Sequence, residues 1–314
     1  MNKDLVFSKR IKIYASENTV WNKLLSAQFY QISWGATLAT TWQVGSPIEF
    51  SGEWDGVQYL DKGIVLEYIE TRFLKFSYWS SFWGTVDSPE EYCHISYTVS
   101  QINEYSCEYT ITQEGFRDQT HYDETVELWA TTSNVLKYES EKDELRFITT
   151  GVCADLMSAL ESTPEELYNK EIPDKWSPGQ IVEHIIIGNS GLKQFLTATP
   201  GTSDNPYDFN IDGIRNLMLN NEAKYTSPDF LLPPFKNYNK EAHKEILMNV
   251  HTEINDCILT LDFHAICGSA EMPPFGYMSY YEWISFSVFH ILRHTRQFST
   301  LVGKNNAQAN FEGE

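Results

Sequence analysis

Hydrophobic and polar positions alternate with a period of two over much of the first 145 residues. Ile95, Tyr97 and Val99 fall on one side of a run, with Ser96 and Thr98 on the other. Tyr105, Cys107, Tyr109 and Ile111 repeat the pattern against Ser106, Glu108 and Thr110. Residues 63–70 and 73–79 are further aromatic and β-branched runs. Such alternation marks strands with one face buried. The separators Val44-Gly45-Ser46-Pro47, Asp55-Gly56 and Asp87-Ser88-Pro89 are turn formers, so short connections join antiparallel neighbours. The N-terminus reads as a first strand, with no apolar secretory leader. A short helix is predicted near Thr19–Leu25. A longer one is predicted over Asp118–Glu141, where Tyr122, Val126, Trp129 and Leu136 recur at helical spacing.

After residue 145 the period becomes that of a helix. Residues 145–160 carry an apolar stripe. Ser177-Pro178-Gly179-Gln180 is a helix start, with a Ser N-cap, Pro at the first position and Gln at the third, and the helix is predicted to reach Ala198. Further helices fit Asp212–Glu222, Lys240–Leu261 and Tyr280–Leu301, with prolines between them. The pattern predicts an α+β domain over residues 1–144, an all-α four-helix bundle over 145–303, and a flexible tail over 304–314.

Composition adds exclusions. The chain has 314 residues and a net charge of −20. An acidic surface repels phosphate, which excludes nucleic acid and anionic membranes as natural partners. No 18-residue apolar run occurs, so no transmembrane helix is predicted. The charge divides as −11 before residue 146 and −9 after it, so neither half is a charged arm. Five widely spaced cysteines and no C-x-x-C favour buried thiols in a reducing cytoplasm.

Two residue types do segregate. Seven of nine tryptophans precede residue 145, and six of eight histidines follow it. His290 and His294 stand four apart in the stripe Trp283, Phe286, His290, His294, Gln297, Leu301 and so share a helix face. His184 lies beside the stripe Ile181, Ile185, Gly188, Leu192, Phe195. Three imidazoles turned into a helical core form a candidate site for a divalent transition metal, with positions left for water or substrate. Structural histidines are the plainer reading of an H-x-x-x-H pair. Asp208–Gly213 matches the first half of a calcium loop, but Leu219 stands where the bidentate Glu should be, so no calcium site is predicted.

The stretch Trp176–His184 and the later Phe275–Trp283, His290-x-x-Arg293-His294-x-x-Gln297 resemble the signatures of DinB-like proteins, over about residues 145–302. The resemblance implies a four-helix bundle binding a divalent metal, zinc or nickel, through His184, His290 and His294. It also implies a metal-dependent transferase or hydrolase, with the metal activating a thiol or water on a small apolar or thiol-containing ligand.

The order strand, helix, strands, long helix in the first half resembles the START/SRPBCC superfamily, in the branch shared with activators of the heat-shock ATPase chaperone. Ile11–Ser16, Pro47–Phe50, Gly63–Glu67 and Thr112–Phe116 carry it. The resemblance implies a helix-grip fold, a curved sheet around a long helix, with a cavity for an apolar ligand. Trp34, Trp42, Trp79 and Trp83 are its candidate lining, against the alternative that they fill a core. Glu49, Glu53, Glu67 and Glu70 form no convincing catalytic pair, and His94 and His121 read as structural. No G-x-S-x-G, G-x-G-x-x-G or P-loop occurs. The non-enzymatic alternative is a chaperone-associated stress-response protein or ligand carrier whose bundle is a structural or homodimerising module.

Overall fold

The computed structural model describes residues 2–220 and 227–311. The chain divides into two compact units, Met1–Glu144 and Leu145–Glu314.

In the first unit, β1 (Asn2–Ile13) leads to two short helices, α1 (Glu17–Leu25) and α2 (Ala27–Trp34). Then come β2 (Thr37–Ala39), β3 (Pro47–Trp54), β4 (Val57–Ile69), β5 (Phe73–Tyr78), β6 (Cys93–Asn103), β7 (Ser106–Phe116) and the helix α3 (Gln119–Ser162). The strands form one antiparallel sheet in the order β1-β7-β6-β5-β4-β3-β2. Alternation does what the pattern predicts, except at the start of β7, where Tyr105 lies in the preceding turn and Ser106 is buried. Ile95, Tyr97 and Val99 of β6 and Tyr109 and Ile111 of β7 are buried on one face, against Trp129 and Leu136 of α3. Asp55 and Gly56 both take positive φ, the geometry that matches a two-residue turn to strand twist, and so close the β3–β4 hairpin. Gly63 in β4 lies so close to β5 that a Cβ there would stand 2.0 Å from the Ser77 carbonyl oxygen.

Helix α2 falls outside the predicted elements. Its signal is a Ser26 N-cap, whose hydroxyl accepts from Phe29 N–H at 3.2 Å, and a left-handed Gly35 after Trp34. The larger correction is α3. Two helices were predicted, over 118–141 and 145–160, but one helix spans Gln119–Ser162. The linking residues Ser140-Glu141-Lys142-Asp143-Glu144-Leu145 contain neither Pro nor Gly, so nothing stops propagation.

The second unit contains the end of α3, then α4 (Glu165–Tyr168), α5 (Pro178–Asn189), α6 (Leu192–Ala198), β8 (Pro200–Gly201), α7 (Ile211–Leu219), α8 (Lys240–Thr260), β9 (Ile266–Cys267) and α9 (Tyr280–Phe311). It is helical apart from the two-residue pair β8–β9. The helix predicted to run to Ala198 breaks into α5 and α6, because Ser190 is extended and Gly191 is left-handed at φ +75. The last residues of the helix predicted over 212–222 lie outside the described residues, as do residues 312–314 of the predicted tail. Helix α9 itself continues past Lys304 to Phe311.

Two reciprocal caps set the elements that matter for the site. At α5 the Ser177 hydroxyl accepts from Gln180 N–H at 3.2 Å, and the Gln180 side chain accepts from Ser177 N–H at 3.0 Å. At α9 the Ser279 hydroxyl accepts from Glu282 N–H at 3.0 Å, and the Glu282 carboxylate accepts from Ser279 N–H at 2.9 Å. Leu156, Leu160, Ile181, Ile185, Leu247 and Phe298 share a core that joins α3, α5, α8 and α9.

Candidate metal centre

Helices α5 and α9 bring His184, His290 and His294 together, with one potential ligand atom from each within 4.8 Å of the others. His184 and His290 are buried, 2% and 8% exposed, and His294 is half-buried. The i, i+4 spacing puts His290 and His294 on one side of α9, ring centroids 4.6 Å apart, and His184 faces them from α5 at 5.0 and 4.6 Å. Trp176 packs at 4.8 Å from His184 and 6.4 Å from His294. Phe286 stacks on His290.

Each outer nitrogen has a partner. The His184 Nδ1–H donates to the Leu231 carbonyl at 2.9 Å, since a carbonyl can only accept. The His294 Nδ1–H donates to Gln297 Oε1 at 2.8 Å. Both histidines therefore keep their Nε2 lone pairs for the interior, the arrangement that orients metal-bound imidazoles. His290 Nδ1 meets the Asn189 side-chain nitrogen at 3.3 Å. The Nε2 atoms of His184 and His290 lie 3.0 Å apart.

Burial holds these rings neutral. It lowers the His184 pKa. Burial first, and then His294, His184 and the Arg293 charge, push His290 well down. Burial and His184, opposed by the bond to Gln297, take His294 to about 4. Tetrahedral zinc with Zn–N of about 2.0–2.1 Å needs nitrogens about 3.3 Å apart, so three neutral imidazoles this close suit a divalent transition metal in number, charge state and spacing.

The sequence did not single out the surroundings. A Cβ at Gly188 of α5 would stand 3.2 Å from His290 Cε1, so glycine there leaves room for the ring. Arg293 donates from Nη1 to the Met218 and Asn220 carbonyls at 3.2 and 2.6 Å, at the end of α7. Next to the site Glu183 accepts from His243 Nε2–H at 3.1 Å, and the Tyr168 hydroxyl donates to His243 Nδ1 at 2.6 Å. Polar residues on successive turns could have suggested Gln180 and Glu183 as loop anchors. Their partners, the Pro233 carbonyl and Lys236, are invisible to periodicity.

The four tryptophans expected to line a cavity in the first unit separate. Trp34, Trp42 and Trp83 pack against the main core, and Trp79 lies apart from it, near Tyr92 and bonded to the Thr85 hydroxyl. Trp34 meets Tyr30, Phe50 and Trp129 at ring separations of 5.1, 5.1 and 5.8 Å, and its Nε1–H donates to Thr132 at 3.0 Å. Glu49, Glu53, Glu67 and Glu70 are all exposed. His121 accepts from Arg117 N–H at 3.3 Å, a structural role.

Comparison with known proteins matches each half separately. Residues 14–140 match the family model of the activator of Hsp90 ATPase homolog 1-like protein. Residues 149–298 match that of the DinB superfamily. No curated protein is detectably similar to the chain. A solution structure from Cytophaga hutchinsonii is 28% identical, with 44% of this chain and 94% of that one covered, at a TM-score of 0.39. The Aha1 dimer of Colwellia psychrerythraea is 18% identical over 42% of this chain and 93% of its own, at 0.35. An Hsp90 activator from Plasmodium falciparum is 14% identical over 35% and 73%, at 0.29. The chain thus joins an activator-like domain of the SRPBCC type, with its seven-stranded antiparallel sheet, to a helical DinB-like domain. Among the described residues no helix is long and apolar enough to cross a membrane.

Proposed function

We propose that the DinB-like domain binds one divalent transition metal, zinc or nickel, through His184, His290 and His294. The observation that carries this reading is the convergence of three neutral imidazoles from α5 and α9, two of them with outer nitrogens already committed to acceptors. When bound, such a metal acts as a Lewis acid or lowers the pKa of a bound thiol or water. The protein's own part is positional. Leu231 and Gln297 fix two rings, Gly188 gives the third its room, and Trp176 and Phe286 shield the rings from water. The reaction proposed is a transfer or hydrolysis on a small thiol-containing or apolar molecule. The aromatic interior of the first domain is, separately, the proposed binding place for a small apolar ligand. The unpaired cysteines support a reducing, cytoplasmic setting.

Titration of chelator-treated protein with zinc, in competition with a chromogenic chelator, tests the metal reading. A single site, lost on His294→Ala, is expected. No competition by the unmodified chain would refute it.

A second, non-enzymatic reading rests on the family match of residues 14–140. The first domain would then bind a heat-shock ATPase chaperone, with the bundle as a structural or dimerising module. Stimulation of a purified chaperone's ATPase would support it, and no capture and no stimulation would count against it.

A further inference from the structure

Away from the three histidines, the second unit leaves a pocket between α3, α8 and α9. Its floor is Leu156 of α3, Val250 and Ile254 of α8 and Val288 of α9, each 3% exposed or less. Its rim is Cys153, Met157, His251 and Ile291, all half-buried. Helical spacing sets its shape. Thr149, Cys153 and Leu156 stand on successive turns of α3, and Leu247, Val250 and Ile254 on successive turns of α8. The pocket is therefore a trough running with the helices, and its stretch of α3, positions 149–157, spans about 12 Å at about 1.5 Å per residue. Val288 stands two residues before His290, on the other side of α9, so the trough is separate from the metal centre.

The lining offers a ligand no charge and almost no hydrogen bond. It contains no Asp, Glu, Lys or Arg. The Thr149 hydroxyl is spent on the Leu145 carbonyl at 2.6 Å. His251 Nε2 accepts from the Asn255 amide at 2.9 Å, and burial lowers the pKa of the ring, so it is neutral. Burial raises the pKa of Cys153, which keeps its sulfur a neutral thiol. A water in the trough would lack the polar partners it needs, whereas apolar carbon loses nothing there. Width narrows the choice further. The free volume is about 20 Å³, on the scale by which a single water needs about 10–15 Å³. That admits a chain one carbon wide and excludes a ring.

We infer that this trough is a binding site for an uncharged, unbranched alkyl chain, whose end enters the floor between Ile254 and Val288. Met157 and Ile291 close over the chain from the rim, the first with a side chain flexible enough to follow it. The site needs no metal, and it gives the second domain a ligand of its own.

Protection of Cys153 in metal-free, full-length protein tests this. The other four cysteines are buried, so Cys153 is the thiol that N-ethylmaleimide reaches first, and peptide mass spectrometry follows its alkylation. 1-Octanol at about ten times its dissociation constant should slow that reaction about tenfold. Half-protection by 1-hexanol should take about tenfold more alcohol, since each buried methylene is worth a factor of about three to four. Cyclooctanol carries as many carbons in a ring and should leave the rate unchanged. A rate indifferent to 1-octanol, or equal protection by the ring and the chain, would overturn the inference. No zinc enters the experiment, so a failure of the metal reading leaves its outcome untouched.

Discussion

His184 and His290, 106 residues apart, face each other with their Nε2 atoms 3.0 Å apart across the helices α5 and α9. That spacing is close to the one two imidazole nitrogens take on a shared tetrahedral zinc, and both outer nitrogens are also engaged. It makes the pair a sensitive point for substitution.

Gly188→Ala should disturb this pair while sparing the fold. The added methyl would stand 3.2 Å from His290 Cε1, so the ring must give by a few tenths of an ångström. Alanine favours the helix by up to about 1 kcal/mol, which offsets the strain. Zinc affinity is expected to fall about tenfold, with a thermal midpoint close to that of the parent. A midpoint far below the parent's, with affinity intact, would contradict this.

The metal-free second domain should lose stability in acid. Burial lowers the folded pKa values of His184, His290 and His294, the last to about 4. The unfolded chain takes up protons near pH 6.5, where the folded chain does not. Stability is therefore full above pH 6.5 and declines as pH falls toward about 4. The His294 share is on the order of 3 kcal/mol. Urea midpoints between pH 7.5 and 4.5 measure it, and His294→Phe should flatten part of the slope. A flat profile in the unmodified chain would count against the burial of these rings.

Tyr168→Phe tests the network beside the site. Tyr168 is fully buried, and its hydroxyl donates to His243 Nδ1 at 2.6 Å, while His243 donates to Glu183. Removing the hydroxyl leaves a buried acceptor unpaired, at about 1–3 kcal/mol. Urea denaturation should show that loss, with zinc stoichiometry unchanged.

Gly63→Ala addresses the first domain. Its Cβ would collide with the Ser77 carbonyl at 2.0 Å, so β4 and β5 must separate. A loss of several kcal/mol is expected, since backbone cannot yield as a side chain does. Near-ultraviolet circular dichroism of the tryptophan-rich first domain follows it. Parental stability would mean that the two strands are not packed this closely.

How much of this could be read beforehand differs by element. The strands were legible because each buries one face, so Tyr97 and Ser96 announce opposite sides. The three histidines were legible as a group because α9 presents positions 290 and 294 on its buried stripe. Helix α3 was misjudged, since a change in the apolar pattern near residue 145 leaves the backbone of Glu141–Leu145 free to stay helical. Asn189 and the Leu231 carbonyl were beyond periodicity, and so was the reason for a glycine at position 188. Their roles exist only once α5, α9 and a loop some 47 residues away meet. A backbone carbonyl carries no residue signature at all. The tryptophans show the same limit, because Trp79 is as aromatic as Trp34 yet lies outside the main core.

The central claim is the three-histidine metal centre, and metal content measures it most directly. Full-length protein and His290→Ala, both confirmed folded by circular dichroism, would be exchanged into metal-free buffer after equilibration with zinc and assayed by inductively coupled plasma mass spectrometry. The account predicts close to one zinc per chain in the unmodified protein and a small fraction of that in the variant. Equal zinc in the two, or none in either, would contradict it.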